Sequence, residues 1–227
     1  MTIRADNALK NAQIIVGYTV YVDLVKERYP GKDFLTTPMT RETVRCQLAL
    51  DKAREGKSVA MICSGDSGIY GMAALLYELR GESTDPEIEV IPGLTAACSG
   101  GALLGAPLTH DFAVISLSDR LTPWEKIEKR LECAAQGDLS IVLYNPRSKG
   151  RPDNLRMACD ILLRYLPGDR PCGVAHSIGR EGEWAEYMPL SELRTADVDM
   201  FCTVFIGNAM TKMVAGKLVT PRGYRDV

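Results

Sequence analysis

Two spacings of apolar residues alternate along the chain. Short unbroken runs, at residues 13–17 (QIIVG), 58–63 (SVAMIC) and 88–91, have the length and composition of buried strands. Between them lie helix-length amphipathic segments: residues 42–55, stopped by Gly56, then 69–79, then a small-residue segment at 95–104 that comes after a Pro92-Gly93 turn. Strand and helix in strict alternation predict an α/β domain with a largely parallel sheet.

Gly105-Ala106-Pro107 breaks this rhythm, and a domain boundary is expected close to Leu108, giving units 1–108 and 109–227. Beyond it, residues 112–116, 140–144, 172–176, 184–187 and 201–206 read as strands. Thr122 is expected to cap a helix, with Pro123 in its first turn and Glu125 three residues after the cap. Trp124, Ile127, Leu131 and Ala134 then recur at helical spacing and mark one buried face. Leu155, Ala158, Leu162 and Tyr165 mark a further helix, stopped by Pro167-Gly168. The higher density of strands predicts a mixed sheet in this half.

Composition narrows the class. The 227 residues suffice for one large or two small cores, and 46% hydrophobic with 25% charged residues is ordinary for a soluble globular protein. A formal net charge of -2 gives no electrostatic reason to expect nucleic acid or an anionic membrane as partner. No apolar run approaches the roughly 18 residues of a spanning helix, and the polar start (MTIRADNALKNAQ) has no secretory h-region. The seven cysteines are scattered singly, which reads as buried thiols in a reducing cytoplasm. The two histidines, His110 and His176, sit in no HExxH or Cys/His ligand pattern, so no metal is expected; no GxSxG elbow is present either.

Five turns could carry chemistry. The densest is 64–71 (SGDSGIYG), between a strand and a helix, where glycines allow close backbone approach and helix-start N–H groups can bind polar groups. Its glycine spacing is neither GxGxxG nor a Walker A loop. The others are 92–97 (PGLTAA), the cationic 144–151 (YNPRSKGR), Gly207-Asn208, and 220–224 (TPRGY). Four of them come directly after expected strands, and in parallel units such turns share one sheet edge and converge on one pocket.

Taken together, GDSGIYGM, IPGLTAACSGGALLGAPLTHDF, ISLSDRLTPW, LYNPRSKGR, FIGN and TPRGY resemble the tetrapyrrole (corrin/porphyrin) methylases, and among them the branch that methylates C-17 of precorrin-3B or its cobalt-containing counterpart, cobalt-factor III, in cobalamin biosynthesis. The resemblance runs from about Arg4 to Tyr224. It implies two α/β domains with S-adenosylmethionine folded in the cleft between them. Gly65, Asp66, Ile69, Tyr70, Thr95, Ala96, Tyr144, Asn145 and Asn208 would border that cofactor. Ring contraction, which the branch couples to methylation, needs an acid or base, for which His110, Asp111, Ser118 and Asp119 are candidates. Ser116, Arg147, Lys149, Arg151 and Arg222 would face the substrate, the cations meeting its acetate and propionate groups. A homodimer is also implied.

The chain departs from the family pattern at one end. Members open with an apolar strand and a GxGPG-type loop, and Met1-Thr2 here aligns with the Leu-Thr pair just after that loop. The first sheet is therefore expected to lack its usual N-terminal strand, and the chain as it stands to be a weak or inactive enzyme, whether its start was assigned late or it is truncated. Two alternatives stand beside this reading: another methylase of the superfamily, which includes diphthine synthase, or a non-catalytic tetrapyrrole-binding protein.

Overall fold

A computed structural model describes residues 1–225. They form two compact units, Met1–Thr95 and Ala96 onward.

The first unit is α/β. Helix α1 (Ile3–Asn11) starts at Thr2, whose hydroxyl accepts the Ala5 N–H. It leads into strand β1 (Ile14–Tyr18), helix α2 (Thr19–Asp23), a 3-10 turn at Lys26–Arg28, strand β2 (Asp33–Thr37), helix α3 (Glu42–Arg54), strand β3 (Val59–Met61) and helix α4 (Ala73–Arg80). The sheet is parallel with order β2-β1-β3. Residues 14–17 of the central strand are all buried, as the unbroken apolar run predicts for a strand covered on both faces. Leu9, Tyr29 and Ile15 pack on one side, and Val16 with Ala49 on the other.

Two expectations for this unit are corrected. The helix expected from residue 69 begins at Ala73, because Tyr70 has φ 54° and a left-handed residue cannot continue a right-handed helix. Residues 88–91 form no strand. A ladder needs a backbone partner, whereas here hydroxyls take the carbonyls: Tyr77 donates to Ile88 (3.2 Å) and Ser67 to Ile91 (3.5 Å).

The second unit opens with helix α5 (Ala96–Leu104), followed by β4 (Gly105–Ala106), β5 (Phe112–Ser116), α6 (Trp124–Gln136), β6 (Ser140–Tyr144), α7 (Asn154–Leu162), β7 (Pro171–His176), β8 (Trp184–Pro189), α8 (Leu190–Leu193), β9 (Cys202–Ile206), β10 (Lys212–Val214) and β11 (Lys217–Val219). Five strands make the mixed sheet, in the order β5-β6-β9-β7-β8; β5 and β6 are parallel and every other pairing is antiparallel. A small second sheet has the order β10-β11-β4.

Helix α5, expected in the first unit, packs within the second. Its small residues let the sheet approach: a Cβ on Gly100 would sit 2.8 Å from Ile178 and 3.0 Å from the ring of Phe205, itself 1% exposed. The other sheet face is covered by α6 and α7 through Ile127, Leu131, Leu155, Ala158 and Leu162. The α6 start also differs from expectation: Pro123, at φ -55°, holds the cap position and no side chain caps the helix. Cys46, Cys159, Cys172 and Cys202 are buried free thiols, whereas Cys98 and Cys133 are exposed.

Candidate active site

In the first unit, two turns are joined by one carboxylate. Asp66 Oδ1 accepts the Gly68 N–H (2.8 Å), and Oδ2 accepts the Gly93 N–H (2.7 Å). The N–H groups of Gly93 and Gly68 hold the Asp66 carboxyl below its ordinary value. Gly93 is required by contact as well as by hydrogen bonding, since a Cβ there would lie 2.0 Å from the Gly65 carbonyl oxygen. Gly65 takes φ 71°. Tyr70 occupies the left-handed region, which is unfavourable for a bulky residue and clusters at functional loops. Ile69, Tyr70 and Leu94 are exposed, 41%, 56% and 54% respectively, so an apolar surface lies beside the pinned backbone. Thr95, 7% exposed, closes this unit.

In the second unit the sheet register decides which candidates meet. Ser116 and Tyr144 are opposite each other at the C-terminal ends of the parallel pair β5 and β6. The Asn145 amide donates to Ser116 Oγ (2.9 Å), and Ser116 Oγ also accepts the Ser118 N–H (3.2 Å). Asn145 takes φ 55°, a conformation asparagine tolerates, and this turns its side chain back over the strand end. The Tyr144 hydroxyl accepts the Ala97 N–H (2.7 Å), placing the start of α5, and so Ala96, at the same edge. Asp119 is paired with Arg151, whose loop is closed by paired backbone bonds with Ser148. Arg147 is paired with Asp197 (2.9 Å), and Lys149 is exposed on the same loop.

The expectation that the turns following strands share one edge is corrected for Gly207-Asn208. Strand β9 runs antiparallel to β6, with Ile206 opposite Ile141, so its C-terminal end lies at the start of β6. Asn208 is there, 3% exposed, accepting the Met210 N–H (3.0 Å) and donating its own N–H to Thr211 Oγ1 (2.9 Å). Thr211 meets Thr220 (2.7 Å), which donates to the Pro107 carbonyl (2.6 Å). Arg222, exposed, comes next at this same end. His110 and Asp111 precede β5 and are therefore separated from Ser118 and Asp119 by the length of that strand, about 13 Å over four steps. His110 Nδ1 accepts the Asp111 N–H (2.9 Å), and both side chains are exposed. Sequence reasoning missed Asn154: it reads as an ordinary helix start, yet its buried amide donates to the Leu117 carbonyl (2.6 Å) and anchors the loop carrying Ser118.

The family model described as Tetrapyrrole (Corrin/Porphyrin) Methylases matches residues 1–194. The chain belongs to that family. A Salmonella typhimurium relative named as a probable cobalt-factor III C(17)-methyltransferase is 46% identical over 99% of this chain and 93% of its own length. A Sinorhizobium precorrin-3B C(17)-methyltransferase is 38% identical over 99% of this chain and 91% of its own. The crystal structure of the methyltransferase CobJ superposes with a TM-score of 0.90 at 36% identity, covering 97% of this chain and 93% of that one. In this tetrapyrrole methylase, then, the turns at 64–71 and 92–95 and the edge carrying Ser116, Tyr144 and Asn145 are the places where sequence motif and local geometry coincide. Among the described residues no helix is long and apolar enough to cross a membrane.

Proposed function

We propose that the chain transfers a methyl group from S-adenosylmethionine to C-17 of cobalt-factor III or precorrin-3B, with contraction of the macrocycle, in cobalamin biosynthesis. The observation that carries this reading is the pinned pair of turns at Asp66 and Gly93, with Tyr70 in a left-handed conformation beside them. The residues fit the cofactor: an exposed apolar surface of Ile69, Tyr70 and Leu94 suits an adenosyl group, and adjoining backbone polar groups suit its amino-acid portion. Bound there, S-adenosylmethionine supplies the methyl as an electrophile already activated by its sulfonium.

The protein's part is binding and orientation, which in the best intramolecular cases is worth roughly 7–11 kcal/mol of barrier. Asp66 fixes the two turns, each of its oxygens accepting one backbone N–H. Arg147, Lys149 and Arg151 lie on one loop and suit the substrate's carboxylates, which would exchange with Asp197 and Asp119 as partners of the two arginines. Ser116, Ser118 and Asp119 are the groups that can hold or move a proton at this edge; His110, Asp111, Asn208 and Arg222 are assigned no part in it. Identity favours the cobalt-containing substrate, 46% against 38% for the relative named for precorrin-3B. We also propose a homodimeric, cytoplasmic enzyme.

Calorimetric titration of S-adenosylhomocysteine into the folded protein tests the cofactor reading. Saturable binding at one site per chain, weakened by Gly93→Ala, is expected. A folded protein that binds none would overturn it.

A further inference from the structure

The five-stranded sheet brings together three side chains that no sequence spacing connects. In the β7–β9 register His176 is directly opposite Cys202, and in the β7–β8 register it is opposite Trp184. Residues opposite each other across strands project from the same face, so these three stand in one row. Asp199, in the turn that enters β9, reaches the row from outside: its Oδ2 lies 3.3 Å from His176 Nε2, and its Oδ1 lies 3.4 Å from Cys202 Sγ. The nitrogen, oxygen and sulfur atoms all fall within 4.8 Å of one another.

We infer that His176, Asp199 and Cys202 form a binding site for a divalent cation of the zinc type, with its fourth position open to solvent. The 3.3 Å between His176 Nε2 and Asp199 Oδ2 suits it. Bonds of about 2.0–2.3 Å in tetrahedral geometry put ligand atoms about 3.3–3.8 Å apart. The donor set, imidazole with carboxylate and thiolate, is that of zinc rather than of calcium or magnesium.

The surroundings support the assignment. His176 Nδ1 faces the Gly182 carbonyl (3.4 Å), a contact of the kind that orients a ligating imidazole. Nε2, the other ring nitrogen, faces the Asp199 carboxylate (3.3 Å), so the two would bind a cation from the same side. The ring is held in place by stacking on Trp184, 5.1 Å between centroids at 14°. Asp199 Oδ1 is fixed by the Phe201 N–H (2.8 Å). Two exposed side chains, Asp199 and the indole of Trp184, leave the cation a path from solvent. The row lies at the edge of the sheet that carries Asn145, since Leu143, Val204 and Val174 are level with one another.

The test is titration of the chelator-treated, full-length protein with Zn2+ by calorimetry, and with Co2+ by absorption. The expected result is one equivalent of Zn2+ bound, a thiolate-to-cobalt charge-transfer band in the near ultraviolet, and binding weakened about 10-fold or more by either His176→Gln or Cys202→Ser. The Cys98→Ser/Cys133→Ser double variant, which removes the exposed thiols, should bind as the parent does. His176→Gln provides the reading should Cys202→Ser fail to fold, and circular dichroism establishes which variants are folded. No stoichiometric uptake by the folded parent would overturn the inference and leave a histidine–carboxylate contact with no metal role. Uptake that His176→Gln leaves unchanged, or a charge-transfer band lost with Cys98 and Cys133, would also overturn it.

Discussion

Replacing Asp66 by alanine removes a side chain that ties the 64–71 turn to the 92–95 turn. Two N–H groups, those of Gly68 and Gly93, lose a carboxylate at 2.8 and 2.7 Å. Hydrogen bonds to charged groups are worth about 1.5–3 kcal/mol each when the orphaned partner is buried. Gly68 is exposed and Gly93 half-buried, so water replaces much of what is lost, and the expected destabilisation is about 1–3 kcal/mol for the pair. Urea unfolding measures this, and S-adenosylhomocysteine titration of the same variant measures the consequence for the site. Both should weaken together. Gly93→Ala leaves the carboxylate in place but puts a methyl group 2.0 Å from the Gly65 carbonyl oxygen, and it should weaken both in the same way. Unchanged stability of Asp66→Ala with lost cofactor affinity would refute the reasoning and make Asp66 a direct ligand contact.

The depressed Asp66 carboxyl sets the sign of a pH effect. The folded value lies below the ordinary 3.8, so its contribution is complete above that range and is lost as pH falls through the folded value; urea unfolding from pH 6 to 3 should show a smaller acid loss for Asp66→Ala than for the parent. Gly100→Ala should destabilise the second unit by about 1–3 kcal/mol by pressing on the Phe205 ring, and thermal unfolding checks it. Asp119→Asn should lower turnover at least tenfold while His110→Asn changes it less than twofold, because β5 separates the two; steady-state kinetics on the tetrapyrrole substrate reads the difference.

The strands at 112–116 and 140–144 are legible residue for residue as short, β-branched apolar runs bounded by turn residues. The mixed second sheet is also foreseeable from the number of runs. Strand direction is not: nothing in the run 201–206 distinguishes a parallel from an antiparallel partner, and that direction moves Asn208 to the far edge. Tyr70 shows a second limit. Its left-handed backbone ends the expected helix register, and no side-chain pattern announces a strained φ at tyrosine. The segment 88–91 has strand composition, but composition supplies no ladder partner. The His176, Asp199 and Cys202 cluster is invisible for the same reason, because only the register across β7 and β9 brings the side chains together.

The central claim is methyl transfer to one macrocycle carbon. Incubating the protein with cobalt-factor III and S-adenosylmethionine carrying a 13C-labelled methyl, followed by NMR of the isolated product, tests it most directly. The account predicts a single enriched methyl at C-17 of a contracted ring. An enriched methyl at any other carbon, or none from folded protein that binds S-adenosylhomocysteine, would contradict it.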